Sequence, residues 1–515
     1  MSLHSSRDKT SNEKLDQEAS DEAVERIEDS VDGPPATLQE ERNLVRKLDR
    51  RILPITCLLY LFASLDRSNL GNARLQGLPE DILGGDKTGV LFDWLTSGFY
   101  FSYANSMPDT SHDFLEAIST VDIYCFGCDG MGTGVDSDGK KRMPTLYFQL
   151  TQSYVQAAGF SFASLMAARV TLGVFESGFA PVITLYFSFF YTKEELGLRF
   201  ALWFGFATVA GAFGGLIAFG VQHIHSSVAN WRLLFIIEGI PPVLLGVVTY
   251  FFLPDRPESS AYLTPRERQV AVQRMNRGIS SDKGAVLNRS HILAAFRDWR
   301  LYVAGTIYFG LNCALASIGA FLPTIIATFG FTNALAQLLT VPPYVVSAIV
   351  MVSFSFSSDR VQNRGLFMVV SSAIGGIGYL LLILVPHNNH ARYFATFCIT
   401  SGTYTTIGLV IAWFGHNLGS ETKKAAGIPL FMAIGQCGSI LGSHLYPKTE
   451  GPRYLKGFGV SCALMLLAAA SSFILSTSYR LENARRDRLY GKPDADTKVD
   501  THELADKAPT FRYVP

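Results

Sequence analysis

Apolar runs recur along most of the chain, separated by short polar loops. They cover residues 52–73, 88–103, 164–191, 198–221 and 233–253, then 301–329, 334–356, 366–385, 393–413, 425–446 and 457–477, with a weaker run at 145–162. A helix rises ~1.5 Å per residue and needs about 20 apolar residues to cross a hydrocarbon core ~30 Å thick. The pattern predicts an all-α membrane protein of two six-helix halves, 52–253 and 301–478. A charged connector at 254–300 joins them and carries an amphipathic helix near 264–277. Two such halves are the layout of a rocking transporter. Residues 1–51 and 479–515 are hydrophilic and read as disordered cytoplasmic tails.

One stretch breaks the pattern. The second run stops after about 16 residues, short of the length a span needs, and 104–143 is polar, with Asp109, Asp113, Glu116, Asp122, Asp129, Asp136 and Asp138 before KKR at 140–142. The second and third helices are therefore expected to be disrupted, and 104–154 is set apart as anomalous.

Loop charge gives the orientation. Residues 42–51 hold five Lys or Arg and the connector nine, while 222–230 and 330–333 hold none. Excess cations mark the cytoplasmic side, so both termini are expected inside. The three cations of 447–456 run against this assignment. No secretory signal is evident, since no apolar core follows Met1 within the first thirty residues.

Composition changes the picture little. The 515 residues are 48% hydrophobic and 17% charged, with 44 cations against 44 acids, which offers no argument for nucleic acid. The seven cysteines are scattered through apolar segments and look like small hydrophobes. Cys125 and Cys128 form C-x-x-C without a second pair, so no metal or cofactor is expected.

Charges inside the runs carry the chemistry. The first reads ILPITCLLYLFASLDRSNLGNA, so Asp66 lies roughly 20 Å along a helix begun at Ile52. A charge near mid-membrane costs about 2.5–3.5 kcal/mol even on mild insertion scales. Asp66 and Arg67 either face a polar path through the bundle or end the span in outside water. In the fourth run Arg169 and Glu176 are seven apart, on one face and about 10 Å apart along the axis. Two acids and two cations in one half are expected to converge on one another or on a cavity. There, protonation of an acid would free an arginine for a carboxylate, coupling proton to anion; a permanent salt-bridge network is the alternative reading. Glu238 in the sixth run is read as structural, paired with Arg232 or a neighbouring helix. Tyr308, Asn312, Asn417 and Gln436 either line the opposite wall of a cavity or make hydrogen-bonded helix contacts.

Several segments are familiar: RKLDRRILPITCLLYLFASLDRSNLGNARLQGL, LMAARVTLGVFESGFAPVITLYFSFFYTKEELGLRFALWFG, NWRLLFIIEGIPPVLLGVVTYFFLPDRPESSAYLT and AWFGHNLGSETKKAAGIPLFMAIGQCGSILGSHLYP. They resemble the anion:cation symporter branch of the major facilitator superfamily, most nearly its fungal allantoate-permease-like members, over roughly residues 41–100 and 160–480. SSDRVQNRG at 357–365 resembles that superfamily's basic loop motif. The resemblance implies a twelve-helix, alternating-access importer of small organic anions driven by a proton gradient. Residue by residue it implies proton sites at Asp66 and Glu176, anion and relay cations at Arg67 and Arg169, and a substrate contact at Asn417. It points to a monomer in the plasma membrane of a fungus. The departure at 104–154 looks like a retained intron or shifted frame, with real divergence the alternative; as written, the chain would then be an inactive isoform. A nutrient sensor that binds without transporting is the competing function, which the short tails disfavour. An enzyme is not expected, because no nucleophile–base pair or metal cluster lies at membrane depth. Two arginines in a wet cavity suit allantoate, nicotinate, pantothenate and other carboxylates alike.

Overall fold

In a computed structural model, which describes residues 36–119, 152–177, 179–254, 256–257, 260–277, 289–419, 421–492 and 505–515, every long element is a helix. The first half comprises α1 (Leu38–Leu75), the short α2 (Leu78–Ile82), α3 (Val90–Ser119), α4 (Gln152–Ala157), α5 (Phe162–Ser177), α6 (Phe179–Phe190), α7 (Lys193–Gln222) and α8 (Asn230–Phe252). The connector holds α9 (Pro265–Arg277) and α10 (Arg289–Arg297). The second half comprises α11 (Trp299–Ala327), the short α12 (Asn333–Leu338), α13 (Val341–Val361), α14 (Arg364–Leu384), α15 (Asn389–His416), α16 (Glu421–Ser443) and α17 (Leu455–Tyr490). Among the described residues, eight spans are long and apolar enough to cross a membrane.

Local chemistry sets where these helices begin. Thr37 and Glu40 form a reciprocal capping box at the start of α1, with Thr37 N–H donating to Glu40 Oε2 at 2.9 Å. Asp298 caps α11 through Arg300 N–H at 3.1 Å, and Asn388 caps α15 by accepting from His390 and Ala391.

The two halves repeat one packing scheme. In the first, α1 packs on α7 and α8, and α3 on α5; in the second, α11 packs on α16 and α17, and α13 on α15. Across the middle, α1 meets α11, α3 meets α16 and α7 meets α13. The ends of α1 and α11 come together, so both helices run the same way. Their starts define a proximal face and their ends a distal face. Gly71 makes the distal contact close: a Cβ there would sit 2.6 Å from the carbonyl oxygen of Ala320. The distal face is then stitched across the halves. Gln337 Nε2 donates to the Asn72 carbonyl at 3.2 Å, Lys448 N–H to the Thr88 carbonyl at 3.2 Å, and Ser97 Oγ lies 2.8 Å from His444 Nε2. Arg74 adds a cation–π bridge between Phe92 and Phe321.

Three expectations need correction. Residues 38–51 are the first turns of α1 rather than a disordered tail, and α9 clamps them through Lys47–Glu267 at 2.7 Å and Arg266–Glu40 at 3.1 Å. The second helix does not stop near residue 103, since α3 runs on to Ser119; of the anomalous stretch, residues 152–154 begin α4, and 120–151, with Cys125 and Cys128, lie outside the described residues. The carboxy-terminal tail is not free either. Residues 505–514 fold back on the proximal ends of α11, α15, α16 and α17. Tyr513 stacks on Tyr479 with centroids 4.8 Å apart, and its hydroxyl donates to Asp506 at 2.8 Å. Lys423 bridges Asp506 and Asp298 at 2.9 and 2.7 Å, and Arg486 donates to the Asp506 carbonyl at 2.8 Å.

Candidate functional site

The four charges of the first half converge. Arg67 Nε donates to Glu176 Oε1 at 2.5 Å, joining α1 to the last turn of α5. One turn pair away, Arg169 Nη1 donates to the backbone carbonyl of Asp66 at 3.3 Å, and the Asp66 charge reaches the same guanidinium. The seven-residue spacing of Arg169 and Glu176 thus meets the adjacent Asp66 and Arg67 in a crossed pair of acid and cation. Asp66, Arg169 and Glu176 are all buried, with exposures of 4%, 2% and 0%, while the Arg67 side chain keeps 24%. Asp66, Arg169 and Glu176 are shut away from the surface and Arg67 is held by Glu176, so the reading in which Asp66 and Arg67 merely end the span in outside water does not hold.

Not every polar atom there is used. Among the described residues, Arg169 Nε and Nη2 and Glu176 Oε2 have no hydrogen-bond partner. Nε and Nη2 form the edge of a guanidinium that takes a carboxylate through two parallel hydrogen bonds. A buried donor left unmade costs about 1–3 kcal/mol.

Tyrosines surround the charges, and sequence reading missed most of them. The Arg67 guanidinium lies over the rings of Phe99 and Tyr103, 5.6 and 5.3 Å from their centroids. Tyr60 stands seven residues before Arg67 on the same face and packs against Trp203 at 4.0 Å. From the second half, Tyr308 stacks on Phe431 at 4.6 Å and lies within electrostatic reach of Arg67 and Tyr103. Tyr404 reaches towards Tyr60 and Tyr100 and meets Tyr344 edge-on at 5.9 Å. A tyrosine in an apolar run is an ordinary core residue, so only the α1 spacing from Tyr60 to Arg67 could have flagged one.

The remaining sequence candidates divide. Tyr308 is brought to the cluster. Asn312, one turn on and 3% exposed, donates to the Tyr308 carbonyl at 2.9 Å and so supports that turn. Gln436 accepts from Ser439 at 3.2 Å. Asn417 is placed elsewhere: it follows the last turn of α15 at the proximal face, and the tail takes its amide. Val514 N–H donates to Asn417 Oδ1 at 2.8 Å, and Asn417 Nδ2 donates to the Val514 carbonyl at 3.0 Å. The pairing expected between Glu238 and Arg232 is also absent, because Arg232 faces Asp81 at 3.6 Å. Among the described residues no group of His, Cys, Asp and Glu could hold a metal ion.

Known proteins agree with this architecture. Residues 136–443 match the model of the Major Facilitator Superfamily. The chain is 33% identical over 480 residues to the major facilitator-type transporter hxnP of Emericella nidulans, covering 92% of this chain and 93% of that one. It is 27% identical to the high-affinity nicotinic acid transporter of Saccharomyces cerevisiae, over 92% and 85% of the two chains. Its fold superposes on a D-xylose–proton symporter with a TM-score of 0.59 at 13% identity, covering 82% of this chain and 97% of that one. A bacterial homologue of the lysosomal transporter Spinster superposes equally well, at 14% identity over 87% and 99%. The repeated halves, the apolar helices and these matches together make the chain a multi-pass membrane transporter, not an enzyme, and a member of the Major Facilitator Superfamily.

Proposed function

We propose that the chain imports a small organic carboxylate together with a proton by alternating access. The observation that carries this reading is the free Nε–Nη2 edge of Arg169, 2% exposed and set beside Asp66. An anion seated there satisfies two buried donors at once. It also competes with Asp66 for the cation, so a proton arriving on Asp66 and a carboxylate arriving on Arg169 favour each other. The Arg67–Glu176 pair works alongside: protonation of Glu176 loosens its hold on Arg67, and the guanidinium swings between the acid and the substrate. The tyrosines supply flat walls that suit a compact, planar carboxylate such as nicotinate, a reading supported by the named activity of the yeast relative. The excess of cations in residues 42–51 and in the connector supports a cytoplasmic proximal face, with both termini and the connector inside, and the fungal relatives support the plasma membrane of a fungus as the setting.

Uptake of radiolabelled nicotinate, allantoate and pantothenate against external pH, in yeast lacking its own carriers, tests the proposal. Accumulation of at least one of them should rise as the outside is acidified, and Arg169→Ala should abolish it. Accumulation retained in Arg169→Ala removes the site assignment, and binding without accumulation by the wild type favours a sensor.

A further inference from the structure

Glu238 is a buried acid with no part in the exchange just described. It is 2% exposed, and neither carboxylate oxygen has a hydrogen-bond partner among the described residues. It lies about 12 Å into α8 from its distal end, and Asp66 about 14 Å into α1 from the same face, so the two acids sit at one depth. Asp66 is the one charge within electrostatic reach of Glu238 among the described residues. Among the described residues, the helices packed most extensively on α8 are α1, α4 and α7. From α1 the facing charge is Asp66 itself. From α4 the buried polar side chain is Gln156, which carries none. The ionisable residues of α7 precede residue 200, at the opposite end of that helix. On α8, Arg232 is taken by Asp81.

An ionised carboxylate so placed has a like charge nearby and, among the described residues, no cation or donor of its own. Buried unpaired charge costs several kcal/mol. Two carboxyls sharing a low-dielectric site keep a proton between them rather than ionise together. Asp66 has the charge of Arg169 to lean on, and Glu238 has nothing equivalent. We propose that Glu238 is a proton-carrying acid of the transport cycle, paired with Asp66 so that the two carboxyls hold one proton between them. The inference rests on the proton-coupled reading above. Uptake from one face forms a single O–H bond on the pair, and release to the other face breaks it; no electrons move.

The test uses the full-length chain in proteoliposomes, with radiolabelled nicotinate as the probe. Three measurements are needed: accumulation driven by an imposed pH gradient, exchange against internal nicotinate without a gradient, and mass-spectrometric mapping of adducts from a hydrophobic carbodiimide, which reacts with neutral buried acids. Glu238 should carry the adduct. Glu238→Gln, which keeps the shape but cannot release a proton, should retain exchange within about two-fold while gradient-driven accumulation falls at least about ten-fold. No adduct at Glu238, unimpaired gradient-driven accumulation in Glu238→Gln, or an equal loss of exchange and accumulation in a folded variant each overturn the assignment. Should Glu238→Gln fail to assemble, the carbodiimide-modified wild type takes its place, since the adduct blocks the same proton. A wild type that exchanges nicotinate yet ignores the pH gradient overturns the coupled reading itself. A gradient-driven wild type with an indifferent Glu238→Gln overturns the role of Glu238 alone.

Discussion

At the scale of single residues, the site separates what charge alone reveals from what only packing reveals. Asp66, Arg67, Arg169 and Glu176 stand out in the sequence because each would cost about 2.5–3.5 kcal/mol in lipid, and the fold brings all four together. Tyr60, Tyr103 and Tyr404 carry no such penalty, and apart from the spacing of Tyr60 to Arg67 nothing in their local sequence distinguishes them from core. The family resemblance marks Asn417 as a substrate contact, yet its partner is Val514, some hundred residues on and invisible to any local pattern. The fork of Arg169 leads to a sharp expectation. Arg169→Lys preserves the charge but removes the planar edge whose Nε and Nη2 are open. Uptake of the substrate should fall at least about ten-fold, roughly 1.4 kcal/mol, with the loss in affinity for the anion rather than in response to pH. Equal uptake by the lysine variant would mean that charge, not geometry, selects the carboxylate.

At the scale of elements, hydropathy located nearly every helix, but it said nothing of how their ends are tied. The clamp of α9 on α1 depends on Glu40, whose carboxyl is held at about 2, against an ordinary 4.5, first by the hydrogen bond from Arg266 and then by the backbone and hydroxyl of Thr37. A carboxylate with a depressed value stabilises the folded form above its ordinary value and loses that contribution as pH falls through the depressed one. Acidification from about 4.5 to about 2 should therefore release α9 from α1, read as faster hydrogen exchange in residues 265–277, and Glu40→Gln should show that faster exchange already at neutral pH. The docked tail behaves likewise. Asp506→Asn weakens its links to Lys423 and Tyr513, and the amides of Tyr513 and Val514, which donate to Asn483 and Asn417 at 2.9 and 2.8 Å, should lose protection. Unchanged protection would show that ring stacking on Tyr479 suffices to hold the tail. The sequence could not announce this docking, because a polar segment becomes ordered only through partners on four helices distant along the chain.

At the scale of the whole molecule, alternating access demands that the distal seal open once per cycle, and the seal is made of few, weak and reversible parts. Ser97 and His444 belong to opposite halves and lie 2.8 Å apart across it, beside the edge-on contact of Trp94 with His444 at 5.2 Å. Each such contact is worth on the order of 1 kcal/mol, so ligand and proton binding can outweigh the set and tip the equilibrium. A covalent link is a different matter. Cysteines at 97 and 444, in a background where all seven native cysteines (Cys57, Cys125, Cys128, Cys313, Cys398, Cys437 and Cys462) are replaced by serine or alanine, should cross-link under mild oxidation. Oxidised transporter should lose uptake almost entirely while still binding substrate from the proximal face, and reduction should restore uptake. Gly71→Val attacks the same seal from the other direction, because a Cβ 2.6 Å from the Ala320 carbonyl forces α1 and α11 apart. It should leave the distal face open, so that the single cysteine at 97 reacts with a membrane-impermeant maleimide several-fold faster than in the parent. If the cross-linked protein transports as before, the two halves do not part at this face, and the rocking motion on which the proposed coupling depends would have to be sought at another.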